Sequence, residues 1–363
     1  MKNIYIFLFL TFTFLFNSCS DELNEDNNDN NWSNIYSTEN NTEDGIVSSC
    51  TDGENIYIGK RLNGVLKSTD GGNTWIEANN GIINKENCNV FYANNTLYAV
   101  TFSTSNIGYV LWNSHRIYKS ENQGASWNIV FENLNSFIYD TSDNRVNVVK
   151  NIDVLDNNIY VSIASALLKS SNNGLSWQIV HELSNNDNFV KEINKINNKL
   201  IILVNKDFIS SYNGATIFQS NDNGNNFTAV NNINYDNFIF NSIVTTNNNI
   251  LLGTKQFSNN TGIYVGNNIL SNWQIINEDF NFDEFDLTNL YTINLSCYNN
   301  IAYAGIFKNS IFSSSDDGIS WTKVGNKVDI DESLNFYTNF VNILKINNSM
   351  FCITGSKIYK YNL

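Results

Sequence analysis

The sequence predicts an all-β fold: a seven-bladed β-propeller with four-stranded blades, the last of which is closed by the N-terminal strand. Three observations predict it. A turn pattern recurs five times between short apolar runs, blade-closing aromatic residues recur about every 48 residues, and the two ends of the chain supply complementary parts of one sheet. A repeat period of this length is typical of propeller blades or of a solenoid.

The recurring turn begins with KSTDGGNTW, Lys67 to Trp75, and its shared pattern is Ser-x-Asp/Asn-x-Gly-x-Thr/Ser/Asn-Trp/Phe. The Asp or Asn side chain can accept hydrogen bonds from backbone N–H groups ahead of it, and the Gly supplies a positive φ. The aromatic residue opens the next strand and buries a large ring. The five copies comprise Ser68, Asp70, Gly72 and Trp75; Ser120, Asn122, Gly124 and Trp127; Ser170, Asn172, Gly174 and Trp177; Ser220, Asp222, Gly224 and Phe227; and Ser314, Asp316, Gly318 and Trp321.

Each turn lies between two apolar runs, so the repeat unit contains a strand, the turn and another strand. In the second blade we predict four strands: NVFYA, LYAVTF, RIYKS and SWNIV, which begin at Asn89, Leu97, Arg116 and Ser126. The fifth blade, around Ile263 to Trp273, keeps its apolar runs and its Trp but lacks the turn pattern.

The ends of the chain predict how the ring closes. Three strands after residue 338 have no fourth, and NWSNIYS (Asn31 to Ser37) has the pattern of a fourth strand without the first three. Pairing the two ends gives six internal blades and one composite blade, and it removes an exposed sheet edge.

This repeated turn resembles the Asp-box, or BNR repeat, of sialidase-like and related β-propellers, and the resemblance covers nearly all of the chain after residue 30. In that family the Asp-box lies at the rim of a blade between its third and fourth strands and is structural. The same propeller is similar to the photosystem II assembly factor, a protein-binding relative. The resemblance therefore implies the fold strongly and an activity hardly at all.

Residues 1–18 are predicted to be a lipoprotein signal peptide. Lys2 provides the positive start, and Ile4 to Phe16 is almost wholly apolar but short for a membrane span. A Cys after such a run and a small residue resembles a bacterial lipobox, which implies lipidation of Cys19. The alternative is an ordinary signal peptide followed by an incidental Cys.

Residues 19–30 are predicted to be the lipidated Cys and a disordered acidic tether, and residues 31–363 the propeller, because SDELNEDNNDNN has one apolar side chain. We expect an outer-membrane lipoprotein of the cell envelope. Ser20, Asp21 and Glu22 also resemble the surface-export signal of Bacteroidetes lipoproteins.

The composition disfavours nucleic acid as a partner, because the net charge is −14 and only 15% of the residues are charged. The expected partner is a glycan or protein ligand outside the cytoplasm, with membrane contact through the lipid anchor only. No cofactor and no metal are predicted.

Candidate ligand-binding residues lie in segments predicted to be long loops on the face opposite the repeated turns. Exposed aromatic rings beside carboxylates suit sugar rings or a peptide. The alternative is that these aromatic side chains pin the loops onto the disc. The predicted loops are Ser103–His115, with Tyr109 and Trp112; Glu132–Arg145, with Tyr139; Glu278–Asp286, with Phe285; and Asp329–Tyr337.

Three arginines, Arg61, Arg116 and Arg145, map to the same face of the early blades. Sialidases use an arginine triad to grip the carboxylate of sialic acid, because guanidinium groups bind carboxylates bidentately. This chain has no proline and so lacks that family's Arg-Ile-Pro signature, and its predicted blade count is seven rather than six. No catalytic residue can be assigned.

Other chemistries have little support in the sequence. The chain has only two histidines, so a His-rich metal site or a Ser-His-Asp triad is not expected. Asp283, Glu284 and Asp286 could hold Ca²⁺, although a solvated acidic loop explains them more simply. We expect four cysteines, Cys50, Cys88, Cys297 and Cys352, to be buried free thiols beside inner strands.

The leading functional hypothesis is therefore a non-enzymatic binding or scaffold module for a glycan or protein ligand. The alternative is a glycoside hydrolase of the sialidase-like or xyloglucanase-like type, which would need two carboxylates across a cleft.

Overall fold

The structure is a computed structural model, and it describes residues 32–38, 44–107, 110–132, 149, 151–163, 166–183, 188–196, 199–206, 215–230, 239–256, 262–267, 272–280, 291–306, 310–326, 328 and 340–363. Strands in these segments form the seven four-stranded antiparallel blades of a β-propeller. The predicted fold class is confirmed. One short 3₁₀ turn, Glu278–Phe280, lies between the fifth and sixth blades.

The first three blades each consist of four consecutive strands in the order of the sequence. Blade 1 contains β2 (Ile46–Thr51), β3 (Ile56–Lys60), β4 (Val65–Ser68) and β5 (Ile76–Glu77). Blade 2 contains β6 (Asn89–Ala93), β7 (Thr96–Ile107), β8 (Val110–Ser120) and β9 (Asn128–Glu132), and blade 3 contains β10 (Asn151–Leu155), β11 (Asn158–Ile163), β12 (Ala166–Ser170) and β13 (Gln178–Glu182).

Blades 4 to 6 follow the same order, and blades 5 and 6 are also joined by two residue pairs, Lys255–Thr292 and Gln256–Tyr291. Blade 4 contains β14 (Asn188–Ile196), β15 (Lys199–Lys206), β16 (Ala215–Ser220) and β17 (Thr228–Ala229). Blade 5 contains β18 (Ile239–Thr245), β19 (Asn249–Gln256), β20 (Ile263–Asn267) and β21 (Gln274–Ile276), and blade 6 contains β22 (Tyr291–Tyr298), β23 (Ile301–Ile306), β24 (Ser310–Ser314) and β25 (Thr322–Val324).

Blade 7 is composite, as the sequence predicts. Its order is β26 (Phe340–Ile346), β27 (Ser349–Thr354), β28 (Lys357–Asn362) and then β1 (Ser33–Ser37) from the start of the described chain. The ring of Trp32 packs on Tyr361 with ring centroids 5.3 Å apart, and its Nε1 donates to the carbonyl oxygen of Val324 at 3.3 Å. The N-terminal strand therefore covers the last sheet edge and also contacts blade 6.

The innermost strands β2, β6, β10, β14, β18, β22 and β26 contact one another in a closed cycle around one axis. The second strands lie between neighbouring sheets and are buried on both sides; β3, for example, is buried at every position. This explains why second strands are near-continuous apolar runs such as IYIGK, whereas outer strands such as NIVFE have no fully buried residue.

Antiparallel order also gives the disc two distinct faces. Turns joining first to second strands and third to fourth strands lie on one side, which we call the turn face. Connections from second to third strands and between successive blades lie on the other side, which we call the loop face. The five repeated turns all join a third strand to a fourth, so they occupy the turn face.

The five repeated turns share one hydrogen-bond pattern. In the first copy, the Ser68 hydroxyl donates to Asp70 Oδ1 at 2.9 Å and accepts from the Gly72 N–H at 2.8 Å, while Asp70 Oδ1 also accepts from the Thr74 N–H at 2.9 Å. The other four copies reproduce these three bonds. Each turn thus satisfies its own backbone through two side chains.

Each turn requires two consecutive residues with positive φ. The second is always Gly, and the first is Gly, Gln, Asn or Asp. Gln123 and Gly124 have φ of 56° and 81°, and Gly72 has φ of 89°. The hydrogen bonds of the turn lower the pKa of Asp70, Asp222 and Asp316 to about 2. Blades 2 and 3 use Asn at this position and obtain the same bonds without a titrating group.

The tryptophans after the turns adopt two arrangements. Trp75, Trp177 and Trp321 donate Nε1–H to the carbonyl oxygen of the turn glycine at 3.0–3.1 Å. Trp127 instead donates to the carbonyl oxygen of Ala78 in blade 1 at 2.8 Å and is 4% exposed. Gly81 allows this contact, since a Cβ there would lie 2.2 Å from the Trp127 carbonyl oxygen. Trp127 therefore fastens blade 2 to blade 1.

One predicted loop is wrong. Ser103–His115 belongs mostly to strands, because β7 continues to Ile107 and β8 begins at Val110. The physical reason is that this segment contains β-branched and aromatic residues, no proline and only two residues between the paired ends, which suits a β-hairpin.

We expect Trp127→Ala to lower the free energy of unfolding by about 3–5 kcal/mol, because it removes a buried ring and a hydrogen bond between blades. Trp177→Ala is the matched control, since that ring is only half-buried and bonds within its own turn. Urea denaturation should show roughly half the loss for the control. Equal losses would contradict a special role for Trp127 in joining two blades.

Candidate functional site

The innermost strands carry a ring of polar residues around the propeller axis. One residue of each innermost strand pairs with an equivalent position near the end of the second strand, and all seven such residues are polar. Their partners on the second strands are Gly59, Val100, Ser162, Leu203, Gly253, Gly305 and Ile353. We call this set the polar belt: Ser48, Asn89, Asn151, Glu192, Ser242, Asn294 and Asn342. The seven positions are structurally equivalent, so the belt is a feature of the repeat.

The polar belt joins neighbouring blades. The Ser48 hydroxyl accepts the Val90 N–H at 2.7 Å, and the Ser242 hydroxyl accepts the Leu295 N–H at 2.9 Å. The ring closes where Asn342 Nδ2 donates to the Ser49 carbonyl oxygen at 3.1 Å. Each bond satisfies a backbone group of the next innermost strand, which has no further strand beside it.

Two acidic residues and one lysine lie on the innermost strands of blades 3 and 4. Glu192 is the belt residue of blade 4, and its Oε2 accepts the Ile243 N–H of blade 5 at 3.0 Å. Lys191 precedes it at the β-bulge of β14, and Asp153 lies two residues after the belt residue Asn151. All three groups are half-buried.

Burial is the main cause of the pKa shifts at this cluster. It raises the pKa of Glu192 to about 7, against the opposing effects of Lys191 and of two hydrogen bonds. It raises the pKa of Asp153 to about 6 and lowers the pKa of Lys191. A carboxyl group that titrates near neutral pH can act as a general acid, so the cluster is a candidate chemical site.

The seams on either side of blade 3 differ from the others. Within the described residues, neither Asn89 nor Asn151 makes a hydrogen bond to the next blade, and Asn151 Oδ1 is buried without a partner. Apolar packing contributes to both seams, through a cluster with Val100 and Val161 between blades 2 and 3 and a second one with Leu167 and Ile193 between blades 3 and 4. The seam between blades 3 and 4 is bonded away from the belt instead, where Lys195 Nζ pairs with Asp156 Oδ1 at 2.5 Å and the Tyr160 hydroxyl donates to the Asn223 carbonyl oxygen at 3.0 Å.

The sequence analysis did not identify the cluster of Asp153, Lys191 and Glu192, although the residue pattern of the innermost strands indicates it. Glu192 lies at the register position where the other blades have Ser or Asn, and Asp153 lies at a position where no other blade has an acidic residue. Such a comparison requires the strand register, which composition and turn motifs do not supply.

Two of the predicted arginines are described. Arg61 follows β3 on the loop face, where its carbonyl oxygen accepts the Asn87 N–H at 2.6 Å. Arg116 lies on β8, and its Nε donates to Glu132 Oε1 at 2.8 Å. The structure therefore places both on the loop-face half of early blades, with Arg116 already engaged by a carboxylate. Arg145 lies outside the described residues.

The aromatic candidates are only partly described. Trp112 lies on β8 in register with Ser105, and Tyr109, Tyr139 and Phe285 lie outside the described residues, as do Asp283, Glu284, Asp286 and Cys19. Phe280, also assigned to a predicted loop, is 1% exposed and packs against Phe312 and Trp321. For Phe280 the packing interpretation is therefore correct, because its ring holds the chain against the disc rather than facing a ligand.

The described cysteines are free, as predicted: Cys50, Cys88, Cys297 and Cys352. Burial raises the pKa of the Cys88 thiol to about 12, so it behaves as a small apolar group. Within the described segments, no three acidic, His or Cys side chains are grouped as ligands for a metal ion.

The turn face has a polar cleft of about 470 Å³ between blades 1 and 2. Two of its acidic lining residues are already engaged: Asp52 accepts hydrogen bonds from Tyr57 and Asn55, and Glu121 pairs with Lys119 at 2.6 Å. These contacts stabilise the turns that border the cleft.

The closed ring of seven four-stranded sheets and its polar belt define the class of protein, a seven-bladed β-propeller. Within that class the chain belongs to the family of the DUF6242 beta propeller domain, which matches residues 140–361. No curated protein matches the chain. No helix among the described residues is long and apolar enough to cross a membrane.

Solved structures with the same fold include both binding proteins and enzymes. A structure of YCF48 bound to D1 peptide is 14% identical with a TM-score of 0.59, over 92% of this chain and 95% of that chain. The GH74 xyloglucanase from Xanthomonas campestris is 10% identical with a TM-score of 0.61, over 92% of this chain. The chain spans 54% of that xyloglucanase.

A third similar structure is the extracellular domain of the putative one component system BT4673 from B. thetaiotaomicron. It is 15% identical with a TM-score of 0.55, over 91% of this chain and 39% of that chain. At such identities the similarity shows the fold alone.

We expect Asp153→Asn to raise stability at pH 7–8 by about 3 kcal/mol. The folded-state pKa of Asp153 is raised from 3.8 to about 6, so stability falls as pH rises through this window and the loss is complete above it. The variant should lack this loss and match the wild type below pH 4. Urea denaturation from pH 4 to 8 measures both curves.

Asp222→Asn is the control, because hydrogen bonds lower the pKa of Asp222 to about 2. Its stability contribution is present above pH 3.8 and is lost only as pH falls toward 2, so its curve from pH 4 to 8 should run parallel to that of the wild type. A parallel curve for Asp153→Asn as well would show that the carboxyl group of Asp153 is not destabilised by burial.

Proposed function

We propose that the chain is a lipid-anchored, extracytoplasmic β-propeller that binds a glycan or protein ligand without transforming it. The observation that carries this proposal is the extension of β7 and β8 beyond blade 2 on the loop face, where they form a two-stranded ribbon up to Ile107 and Val110. A projecting two-stranded ribbon of this kind can present its backbone to a partner.

One structure of similar fold supports a binding role: YCF48 is bound there to D1 peptide, and this chain covers 95% of that chain. A binding role for this chain also agrees with the ion pair of Arg116 Nε with Glu132 Oε1, because this guanidinium already has a carboxylate partner within the protein.

A glycoside hydrolase is the second candidate, and Asp153 and Glu192 are the observation that favours it, because their raised pKa values suit a general acid. However, Glu192 already accepts hydrogen bonds from Ile243 and Asn194 and joins blade 4 to blade 5. The binding function therefore explains more of the geometry than the catalytic one.

The first test of the proposed function uses the full chain in detergent. We expect no release of product from aryl glycosides, sialosides or xyloglucan, but retention of the protein on an array of immobilised polysaccharides and peptides. Turnover that is lost in Asp153→Asn or Glu192→Gln would overturn the binding-only proposal.

Trp112→Ala should weaken retention on the bound array member with little change in melting temperature, since Trp112 lies on the ribbon beyond the blade. Trp127→Ala is the comparison variant, and its melting temperature should fall strongly. A large fall in the melting temperature of Trp112→Ala would show that its ring packs within the disc.

The location is tested separately through Cys19, whose position after Ile4–Phe16 supports lipidation. In a bacterial host that processes lipoproteins, the wild type should incorporate radiolabelled palmitate and sediment with membranes. Cys19→Ala should lose the label and remain in the soluble fraction. Unchanged sedimentation of this variant would argue against a lipid anchor.

A further inference from the structure

The ribbon of β7 and β8 extends well past the sheet that holds it. β6 pairs with β7 only as far as Val100, and β9 pairs with β8 only as far as Arg116. Beyond these points the two strands form six further residue pairs, from Phe102–His115 to Ile107–Val110. At about 3.3 Å per residue the ribbon projects roughly 20 Å from blade 2 on the loop face.

The edge of β7 that faces the propeller axis is open in the described residues. The chain before β6 cannot cover it, because the N–H groups of Asn87 and Cys88 bond the carbonyl oxygens of Arg61 and Lys60 in blade 1. The residues before Asn89, which could have extended β6 along β7, are therefore bonded to blade 1 instead. No described strand pairs with β7 on this side beyond Val100.

The register shows which backbone groups point to the open edge. Ala93 and Thr96 flank the two-residue turn of Asn94 and Asn95, both with positive φ, so Ala93–Thr96 is a hydrogen-bonded pair. Hydrogen-bonded pairs alternate along an antiparallel ladder, so every second residue from Thr96 onward points its N–H and C=O toward the axis. Beyond blade 2 these residues are Phe102, Thr104 and Asn106.

The edge lacks the features that normally prevent strand pairing. Sheet edges are usually protected by Lys, by other charges, by proline or by a bulge. Residues 102–115 contain no Asp, Glu, Lys, Arg or proline, and the six pairs of the ribbon follow one another without a register shift. A row of unpaired N–H and C=O groups is complementary to another extended backbone.

We propose that the axis-facing edge of β7, at Phe102, Thr104 and Asn106, binds an extended, proline-free segment of another protein by strand addition. The segment is neutral or basic, because this chain has a net charge of −14 and would repel an acidic peptide or a second copy of itself. This inference rests on the proposed binding function and specifies its partner and its mode.

The test uses the full chain in detergent and an array of nine-residue, proline-free peptides in basic, neutral and acidic sets. Basic and neutral peptides should bind. In solution, fluorescence anisotropy should then show that Thr104→Pro weakens a bound peptide about tenfold or more, because it removes the central N–H of the open edge while leaving the β7–β8 bonds intact.

Asn113→Pro is the matched control, since Asn113 is paired with Thr104 and points its N–H to the opposite edge of the same ribbon. It should leave the dissociation constant unchanged. Circular dichroism and the melting temperature verify that both variants fold. If Thr104→Pro does not fold, Thr104→Lys replaces it, because a lysine on the edge disfavours pairing without removing a backbone donor.

Methylation of the peptide backbone provides a second signature. Two versions of the peptide are compared, one N-methylated on its odd-numbered residues and the other on its even-numbered residues. Only one version should lose binding, because only one set of N–H groups faces β7. Equal effects in both registers would indicate docking through side chains and would overturn strand addition.

The remaining outcomes separate this inference from the proposed function. If peptides or polysaccharides bind but Thr104→Pro and Asn113→Pro behave alike, strand addition is wrong and the binding function stands. A dimer in sedimentation that Thr104→Pro dissolves would identify a second copy as the occupant and overturn the proposed partner. If nothing on the array is retained, the inference and the binding function are both wrong.

Discussion

The pairing of β1 with β28 is the contact on which the ring depends, because it turns a row of sheets into a closed disc. Ser33 and Ser37 pair with Lys360 and Lys357 across the whole length of the chain. Without this strand, β28 would expose a sheet edge, and Trp32 would not contact Tyr361 or the Val324 carbonyl oxygen of blade 6. Closure also brings Asn342 to Ser49, so that blades 7 and 1 meet at the axis.

Two different sets of polar contacts stabilise the disc, one at its outer rim and one near its central axis. At the rim, turns such as Ser68 to Thr74 satisfy their own backbone. At the axis, belt residues such as Ser242 bond the backbone of the next blade. The rim turns also join blades, because the carbonyl oxygens of Gln123, Asn223 and Asp317 accept hydrogen bonds from side chains of the preceding blade. Trp127 adds a bond from blade 2 to blade 1.

The two departures from the repeat lie close together in the chain and carry the functional proposals. Blade 2 has strands of 12 and 11 residues where blade 1 has 5 and 4, and the excess forms the ribbon. Blade 3 lacks a described belt bond to the next blade and carries Asp153 facing Glu192. Blades 1, 5 and 7 keep the regular belt contacts and act as the scaffold for these features.

Local chemistry in the sequence determined the blades, because a Ser, an Asp or Asn, a Gly and an aromatic ring at fixed spacing can form one turn from nearby atoms alone. For the same reason β6 and the closing strand near Trp32 could be predicted, since each is recognisable from its own short sequence. Only the tertiary structure decided the polar belt, the Asp153–Glu192 seam and the ribbon. Each depends on register between segments far apart or on how far a strand continues, and side-chain type at a single position does not encode either.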